Sequence, residues 1–347
     1  MTDELALYTQ SDFPIFQNRM YSSSREAQNC ARGDIRLVQD SSSGLVHNAA
    51  FRSDLMIYDA DYQNEQAHSS SFKSHLDQVA GIVGQNLGTD SLVEVGCGKA
   101  YFLELLQSRG FSITGFDPTY EGDNPSVQRH YFDDSIGVSA KGIVLRHVLE
   151  HVENPFGFLD GLRAANGGGL IYIEVPCFDW ILSNKAWFDI FYEHVNYFRL
   201  NDFLRMFGNV VKIGRLFGGQ YLYVVADLDS LRPPILGPDD RVDFPPDFLP
   251  TSLAVDQPKA VWGAASKGVI YSLLRDRIGS PVEVLIDINP AKCGKFVPAT
   301  GLCVMSPDEG CALVAPGDDI CVMNSNYIEE ISGMTGGRFN LIGLDRD

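Results

Sequence analysis

The 347 residues carry 27 Lys and Arg against 45 Asp and Glu, a formal charge of −18, and are 45% apolar and 21% charged. Such a composition excludes disordered and collagen-like chains, and the length suits two domains with a smaller appendage. Strong acidity argues against nucleic acid and anionic membranes as partners, because the long-range field repels phosphates; a phosphate-bearing small molecule then needs a local basic or backbone-amide pocket. The opening MTDELALYTQSDFPIFQNRM does not read as a signal peptide. No window approaches the roughly 20 apolar residues of a membrane span. Seven scattered cysteines (Cys30, Cys97, Cys177, Cys293, Cys303, Cys311 and Cys321), with no C-x-x-C pair, suit a reduced cytoplasmic protein.

Residues 1–75 are rich in Ser, Asn, Gln and Asp, with short apolar pieces between turn signals, and predict an irregular or small-sheet lobe. SFKSHLDQVAGIVGQNLG then places Phe72, Leu76, Val79, Ile82 and Val83 on one helical stripe. Across 76–228, apolar strands alternate with helices: SLVEVG, YFLELLQSRG, FSITGFD, GIVLRHV, PFGFLDGLRAA and GLIYIEVP. That alternation predicts a doubly wound Rossmann-like α/β sheet of parallel strands. Residues 229–256, with many prolines and acids, read as a linker. The α/β pattern restarts over 257–347 as a second, smaller C-terminal α/β domain, through AVWGAASKG, VIYSLLRDRI, PVEVLIDINP, DDICVMN and NLIGLD.

LVEVGCGKAYFL sets Glu94, Gly96, Cys97 and Gly98 where a buried strand turns into a helix, and small residues there let a ligand approach the backbone. The third glycine of a dinucleotide fingerprint would fall on Tyr101, which argues against a pyrophosphate. The next strand ends in Asp117 and Pro118, a carboxylate placed to accept ribose hydroxyls. An adenosine without pyrophosphate fits, and S-adenosylmethionine supplies one together with an amino-acid end that Glu94 can help hold. Arg146 and His147, closing the GIVLR strand, complete the expected cofactor contacts.

These residues resemble class I S-adenosylmethionine-dependent methyltransferases and, within them, the C-methyltransferases of nucleotide-linked keto-deoxysugars. EVGCGKAYFLELL is similar to the cofactor motif and TGFDP to the ribose-binding acid. WFDIFYEHVNYF is similar to a Tyr-His-Glu-His-x-x-Tyr-Phe block and RHVLEHV to an Ala-Asn-Val-x-x-His-Ile block. WGAASKG with IDINPAKCGKFVPATGLCV resembles the C-terminal domain of the family. The resemblance implies His194 as general base, Glu193 as the carboxylate beside it and His151 as a further active-site histidine. Phe191 stands where relatives carry Tyr, although Tyr192 follows. Relatives also hold zinc in the N-terminal lobe through a C-x-x-C-G-L segment; here it reads Asp40-Ser41-Ser42-Ser43-Gly44-Leu45, so no metal is expected.

Methylating carbon requires removal of a proton made acidic by a neighbouring carbonyl, a task suited to histidine. Glu193 can orient His194 only if a turn at 191–194 breaks the strand alternation. Tyr192 or Tyr197 can hydrogen-bond the developing enolate oxygen. Lys267, in the phosphate-loop-like GAASKG, can meet a substrate phosphate, and Tyr62 falls near a substrate-contacting tyrosine of the relatives. His147-Val148-Leu149-Glu150-His151 also spells an inverted zinc-peptidase motif, but it leaves a strand and meets Asn154-Pro155 too soon for the long helix that motif needs. His47, His68, His75 and His130 read as surface or satisfied residues. His147, Glu150, His151, Glu174, Glu193 and His194 all cluster at predicted strand ends on the edge where open α/β sheets bind ligands. Rival readings are O- or N-methyl transfer, a nicotinamide oxidoreductase and a catalytically silent binding module. The chain is expected to act as a cytoplasmic monomer or homodimer on a small molecule, probed best with a nucleotide-linked sugar.

Overall fold

The computed structural model describes residues 5–56, 67–249 and 258–345. Tyr62 lies outside the described residues. In the N-terminal lobe, strands β1 (Ala6–Pro14), β2 (Arg32–Gln39) and β3 (Val46–Asn48) pair antiparallel. The Ser42–Gly44 turn before β3 is closed by Asp40, whose Oδ1 accepts from the N–H and hydroxyl of both Ser42 and Ser43 at 2.6–3.1 Å. Partial burial would raise this carboxyl, but the four donors outweigh it and hold it down at about 2. Local hydrogen bonds thus shape the Asp40–Leu45 segment.

The helix Ser70–Leu87 starts on a Ser69 side-chain cap and buries Phe72, His75, Leu76, Val79, Ala80, Val83 and Leu87, which keeps four of the five expected stripe residues, leaves Ile82 half-buried and adds His75, Ala80 and Leu87. It leads into a seven-stranded sheet built from β4 (Leu92–Val95), β5 (Ile113–Phe116), β6 (Val127–Gln128), β7 (Gly142–Arg146) and β8 (Leu170–Pro176). The short β9 (Asn196–Tyr197) follows, and a hairpin of β10 (Val210–Leu216) and β11 (Tyr221–Asp227) completes the sheet. The order is β10-β11-β8-β7-β4-β5-β6, parallel except that β11 runs antiparallel to both β8 and β10. Chain order reverses between β4 and β7, so the crevice at their C-terminal ends is the natural ligand site.

β9 does not join this sheet. It pairs with β3 and becomes the fourth strand of the N-terminal lobe, fastening the loop at 191–195 to both units. The C-terminal domain is a parallel sheet of β12 (Ala260–Trp262), β13 (Val284–Ile286), β14 (Val304–Met305), β15 (Asp319–Val322) and β16 (Asn340–Gly343), in the order β14-β13-β12-β15-β16. β12 and β13 are wholly buried, and β15 is buried after Asp319, which explains their apolar runs. The fold is therefore Rossmann-like α/β with an additional C-terminal sheet domain.

One continuous core joins all three units, from Phe13, Ile35 and Leu37 through Ile143, Ile173 and Phe198 to Val261 and Ile270. Backbone pairs Tyr21–Phe296 and Ala299–Ala27 stitch the N-terminal lobe to the C-terminal domain. No helix among the described residues is long and apolar enough to cross a membrane.

Candidate active site

A cavity of about 400 Å³ opens where the three units meet. Glu94, Gly96, Cys97 and Gly98 form one wall, His147, Glu150, His151, Glu193 and His194 a second, and Lys267, Asp287 and Lys292 a third. Gly96 has φ +72°, and a Cβ there would stand 2.4 Å from Val148 Cγ2, so glycine is required both for the turn and for the approach of the 147–151 loop. Gly268 plays the same part in the GAASKG turn, where a Cβ would collide with the Gly263 carbonyl.

Glu94 is 3% exposed and its Oε2 has no hydrogen-bond partner. Burial raises its carboxyl to about 8, with Arg146 lowering it and Asp117 raising it less. Such a site favours a cationic ligand. Asp117 anchors the glycine turn in the structure. Its Oδ2 accepts from Gly98 N–H at 2.8 Å and its Oδ1 from the N–H and hydroxyl of Thr119, so it fastens the glycine turn to the end of β5. Neither it nor the exposed Pro118 lines the cavity. Burial, reinforced by Glu94 and Asp117, pushes the Cys97 thiol far up and leaves it uncharged.

A buried charge network lies beneath the second wall. Oε1 of the fully buried Glu174 accepts from His75 Nε2 at 2.9 Å, Arg146 Nη2 at 3.1 Å and His147 Nε2 at 3.1 Å, while Oε2 accepts from Tyr172 at 2.6 Å. Burial alone would raise this carboxyl, but Arg146, His147 and His75 outweigh it and hold it well below the usual range. His147 adopts φ +52°, a conformation uncommon outside glycine, and sits between two acids, with Nδ1 3.4 Å from Glu150 Oε1. Burial disfavours its charge, yet Glu150 and Glu174 raise it to about 9. His75 is a buried core residue that meets Glu174 through Nε2.

Glu150 and His151 lie in a single 3-10 turn, Leu149–His151, and not on a long helix. The loop 191–195 is held against that turn by Val195 N–H to the Glu150 carbonyl at 2.9 Å and by Asn48 N–H to the Val195 carbonyl at 2.8 Å. His194 N–H donates to the Phe191 carbonyl, closing the turn at 191–194. His151 Nδ1 donates to the Glu193 carbonyl at 2.8 Å, which leaves Nε2 as the ring nitrogen outside that contact. The His151 and His194 rings stand 5.0 Å apart in an edge-on arrangement. His194 is buried, and burial with the neighbouring His151 and His147 holds its pKa well below the histidine value; it is neutral at pH 7.

Two expectations need correcting. Tyr192 turns away from the cavity, stacks on Phe51 and accepts from Arg52 N–H at 2.9 Å. Tyr197 closes the 191–194 turn, its hydroxyl donating to the Phe191 carbonyl and accepting from the Phe191 N–H. Both hydroxyls are spent on backbone groups and neither lines the cavity. Glu193 does line it, yet the carboxylate grouped with the two imidazoles is Glu150. Lys267 reaches the third wall 5.0 Å above the Trp180 ring, with Nζ 2.9 Å from Asp189 Oδ2 and 3.0 Å from Gln220 Oε1. Asn18, Asp189, Gln220 and Lys292 also belong to this region, and nothing in the sequence singles them out, since their roles come from contacts between units.

Residues 55–210 match the family model described as a methyltransferase domain. The match spans the glycine turn and the loops that carry the two imidazoles, so this part of the chain is similar to a methyltransferase domain. No curated protein matches the chain. Among solved structures, an S-adenosylmethionine-dependent methyltransferase from Mesorhizobium loti is similar at 13% identity, covering 46% of this chain and 100% of that one, with a TM-score of 0.36. Magnesium protoporphyrin IX methyltransferase from Synechocystis PCC 6803, solved with S-adenosylhomocysteine, is similar at 14% identity over 49% of this chain and 89% of its own, with a TM-score of 0.35. The 1,6-didemethyltoxoflavin-N1-methyltransferase of Burkholderia thailandensis is similar at 13% identity over 57% and 96%, with a TM-score of 0.34.

The two upward shifts give a signed expectation. A group whose folded value exceeds its unfolded one stabilises the fold fully below the unfolded value and loses that contribution as pH rises through the folded value. Glu94, raised from 4.5 to about 8, and His147, raised from 6.5 to about 9, therefore make the free protein less heat-stable between pH 7 and 9. Thermal melts across that range should show the fall, and Glu94→Gln should flatten its lower part; an unchanged slope in the variant would contradict the assignment.

Proposed function

We propose that the protein C-methylates a nucleotide-linked keto-deoxysugar next to its carbonyl, with His194 removing the proton from the carbon that receives the methyl. The observation that carries this reading is the pair of imidazoles facing the cavity that also contains the glycine turn. A neutral His194 is ready to accept a proton, which an imidazolium is not. His151, fixed by the Glu193 carbonyl, presents Nε2 to the same space and can meet the oxygen on which negative charge collects. The bound sulfonium supplies an activated methyl group, so the chain's task is to align methyl and carbon, hold the proton acceptor and exclude water.

Glu94 fits the amino-acid end of the donor. Its orphaned Oε2 and raised value predict that binding at pH 7 releases close to one proton, because the ligand's positive charge favours the carboxylate. Calorimetry in buffers of different ionisation enthalpy should reveal this release, and Glu94→Gln should abolish it. Lys267 and Lys292, on the third wall, furnish the local positive charge that a diphosphate needs in so acidic a chain, with Lys267 exchanging Asp189 for phosphate.

O-methylation of a sugar or secondary metabolite is the second reading, favoured by one observation: neither tyrosine hydroxyl reaches the cavity, so enolate stabilisation falls to His151 alone. Methyl-labelled donor with a panel of nucleotide ketosugars distinguishes the two, since NMR separates a methyl on carbon from one on oxygen. Carbon methylation further predicts that the enzyme washes deuterium from the α-carbon of the ketosugar with S-adenosylhomocysteine in place of the donor. A methyl on oxygen without such exchange would overturn the proposal.

A further inference from the structure

We propose that Glu150, His151 and His194 form a binding site for a divalent transition-metal cation, whose open positions take an oxygen of the methyl acceptor. One ligand atom from each residue lies within 4.8 Å of those of the other two. All three face the cavity, on the wall next to the glycine turn. In a tetrahedral site with bonds of about 2.0–2.1 Å, neighbouring ligand atoms stand roughly 3.3 Å apart, so small side-chain rotations suffice to close the set. Two imidazoles and one carboxylate with open positions are the donors that borderline first-row cations prefer.

A second observation points the same way. Glu150 is 1% exposed, yet neither of its carboxylate oxygens accepts a hydrogen bond. His147 Nδ1 makes only a long ion pair with Oε1, at 3.4 Å, and no hydrogen bond to either oxygen. A buried carboxylate left so poorly satisfied is costly unless a ligand completes it. The ligands are also oriented from outside. His151 Nδ1 is fixed on the Glu193 carbonyl, the kind of second contact that sets the ring of a metal-bound histidine and leaves Nε2 to the cation. Two backbone hydrogen bonds, from Val195 to Glu150 and from Asn48 to Val195, hold the loop carrying His194 against the turn carrying the other two.

The sequence, with its zinc-binding thiols gone from the N-terminal lobe, predicts no metal; this site uses different residues in a different place. The inference rests on the reading that the acceptor enters this cavity, and it narrows the acceptor to one with an oxygen donor beside the methylated atom. His194 is a ligand in the metal-bound form and a proton acceptor in the metal-free form, so chelation separates the two roles experimentally.

Chelator-treated full-length protein should be titrated with Co²⁺ and followed by its visible d–d absorption, then challenged with Zn²⁺. We expect saturation near one equivalent, displacement by Zn²⁺ and at least a tenfold loss of Co²⁺ affinity in Glu150→Gln, His151→Ala and His194→Ala, with exposed His130→Ala unchanged. Glu150→Gln keeps the shape of the side chain, and retained S-adenosylmethionine binding checks that each variant is folded. Should the histidine variants unfold, the glutamine variant alone decides. No band beyond that of aqueous cobalt, or a band that persists in folded Glu150→Gln, overturns the inference. Methyl transfer that proceeds unchanged after chelation, with cobalt binding absent, would do so while leaving the proposed function intact.

Discussion

Glu174→Gln is expected to cost the fold about 3–5 kcal/mol, measured as a drop in the denaturation midpoint at unchanged slope. Glu174 is fully buried and is the acceptor shared by His75, Arg146, His147 and Tyr172. Removing its charge leaves Arg146 and His147 cationic in a space closed by β7, β8 and the helix Ser70–Leu87, and an uncompensated buried cation is the costly outcome. The size of the effect comes from that orphaned charge more than from the lost contacts. A double variant, Glu174→Leu with Arg146→Leu, should therefore recover part of the loss, since replacing both partners by apolar groups of similar volume is often close to neutral. A double variant as unstable as the sum of its single changes would show that the network holds the sheet edge by shape alone.

The second large effect concerns turnover. His194→Gln should lower methyl transfer by about 10²–10⁴-fold, the range for loss of a positioned proton acceptor, while leaving affinity for S-adenosylmethionine within a factor of two or three. The separation follows from geometry. His194 sits on the loop at 191–195 against His151, whereas the glycine turn and Glu94 form a different wall. His151→Gln should fall in the same range, and the double variant should lose little more than either alone, because residues that act as a unit are not additive. Tyr192→Phe, by contrast, removes an acceptor for the Arg52 N–H on the far side of the loop and should alter stability before it alters rate.

Much of the middle domain could be read from local pattern. Strands β4, β7 and β8 are buried on both faces and therefore appear as short apolar runs, and the glycine turn after β4 is marked by residues that no other backbone conformation needs. The histidine cluster was legible for the same reason: strand ends on one edge of a parallel sheet converge. What escaped depends on contacts distant in sequence. Two residues, Asn196 and Tyr197, cannot announce that they belong to the N-terminal sheet, and that pairing decides which way the 191–194 turn faces. Adjacency in sequence suggested Glu193 as the carboxylate of the site, whereas folding groups Glu150 with the imidazoles because Glu150 shares a 3-10 turn with His151. Tyr192 is drawn to the N-terminal lobe by a gap over Gly33, where a Cβ would clash with its ring. Asp117, at the strand end where the pattern puts it, also ties the glycine turn to its own loop, a contact that spacing alone does not announce. The partner of Lys267, Asp189, comes from another unit and leaves no trace in either neighbourhood.

One cavity is expected to hold the methyl donor on the glycine turn and the two imidazoles on the adjoining wall. Calorimetric titration of the whole chain with S-adenosylmethionine, beside the same titration of Gly96→Val and His194→Gln, tests it most directly. The account predicts one site per chain, lost in Gly96→Val, where the added side chain meets Val148, and retained in His194→Gln. Absence of binding by the unaltered protein, or binding indifferent to Gly96→Val in a folded variant, would contradict it.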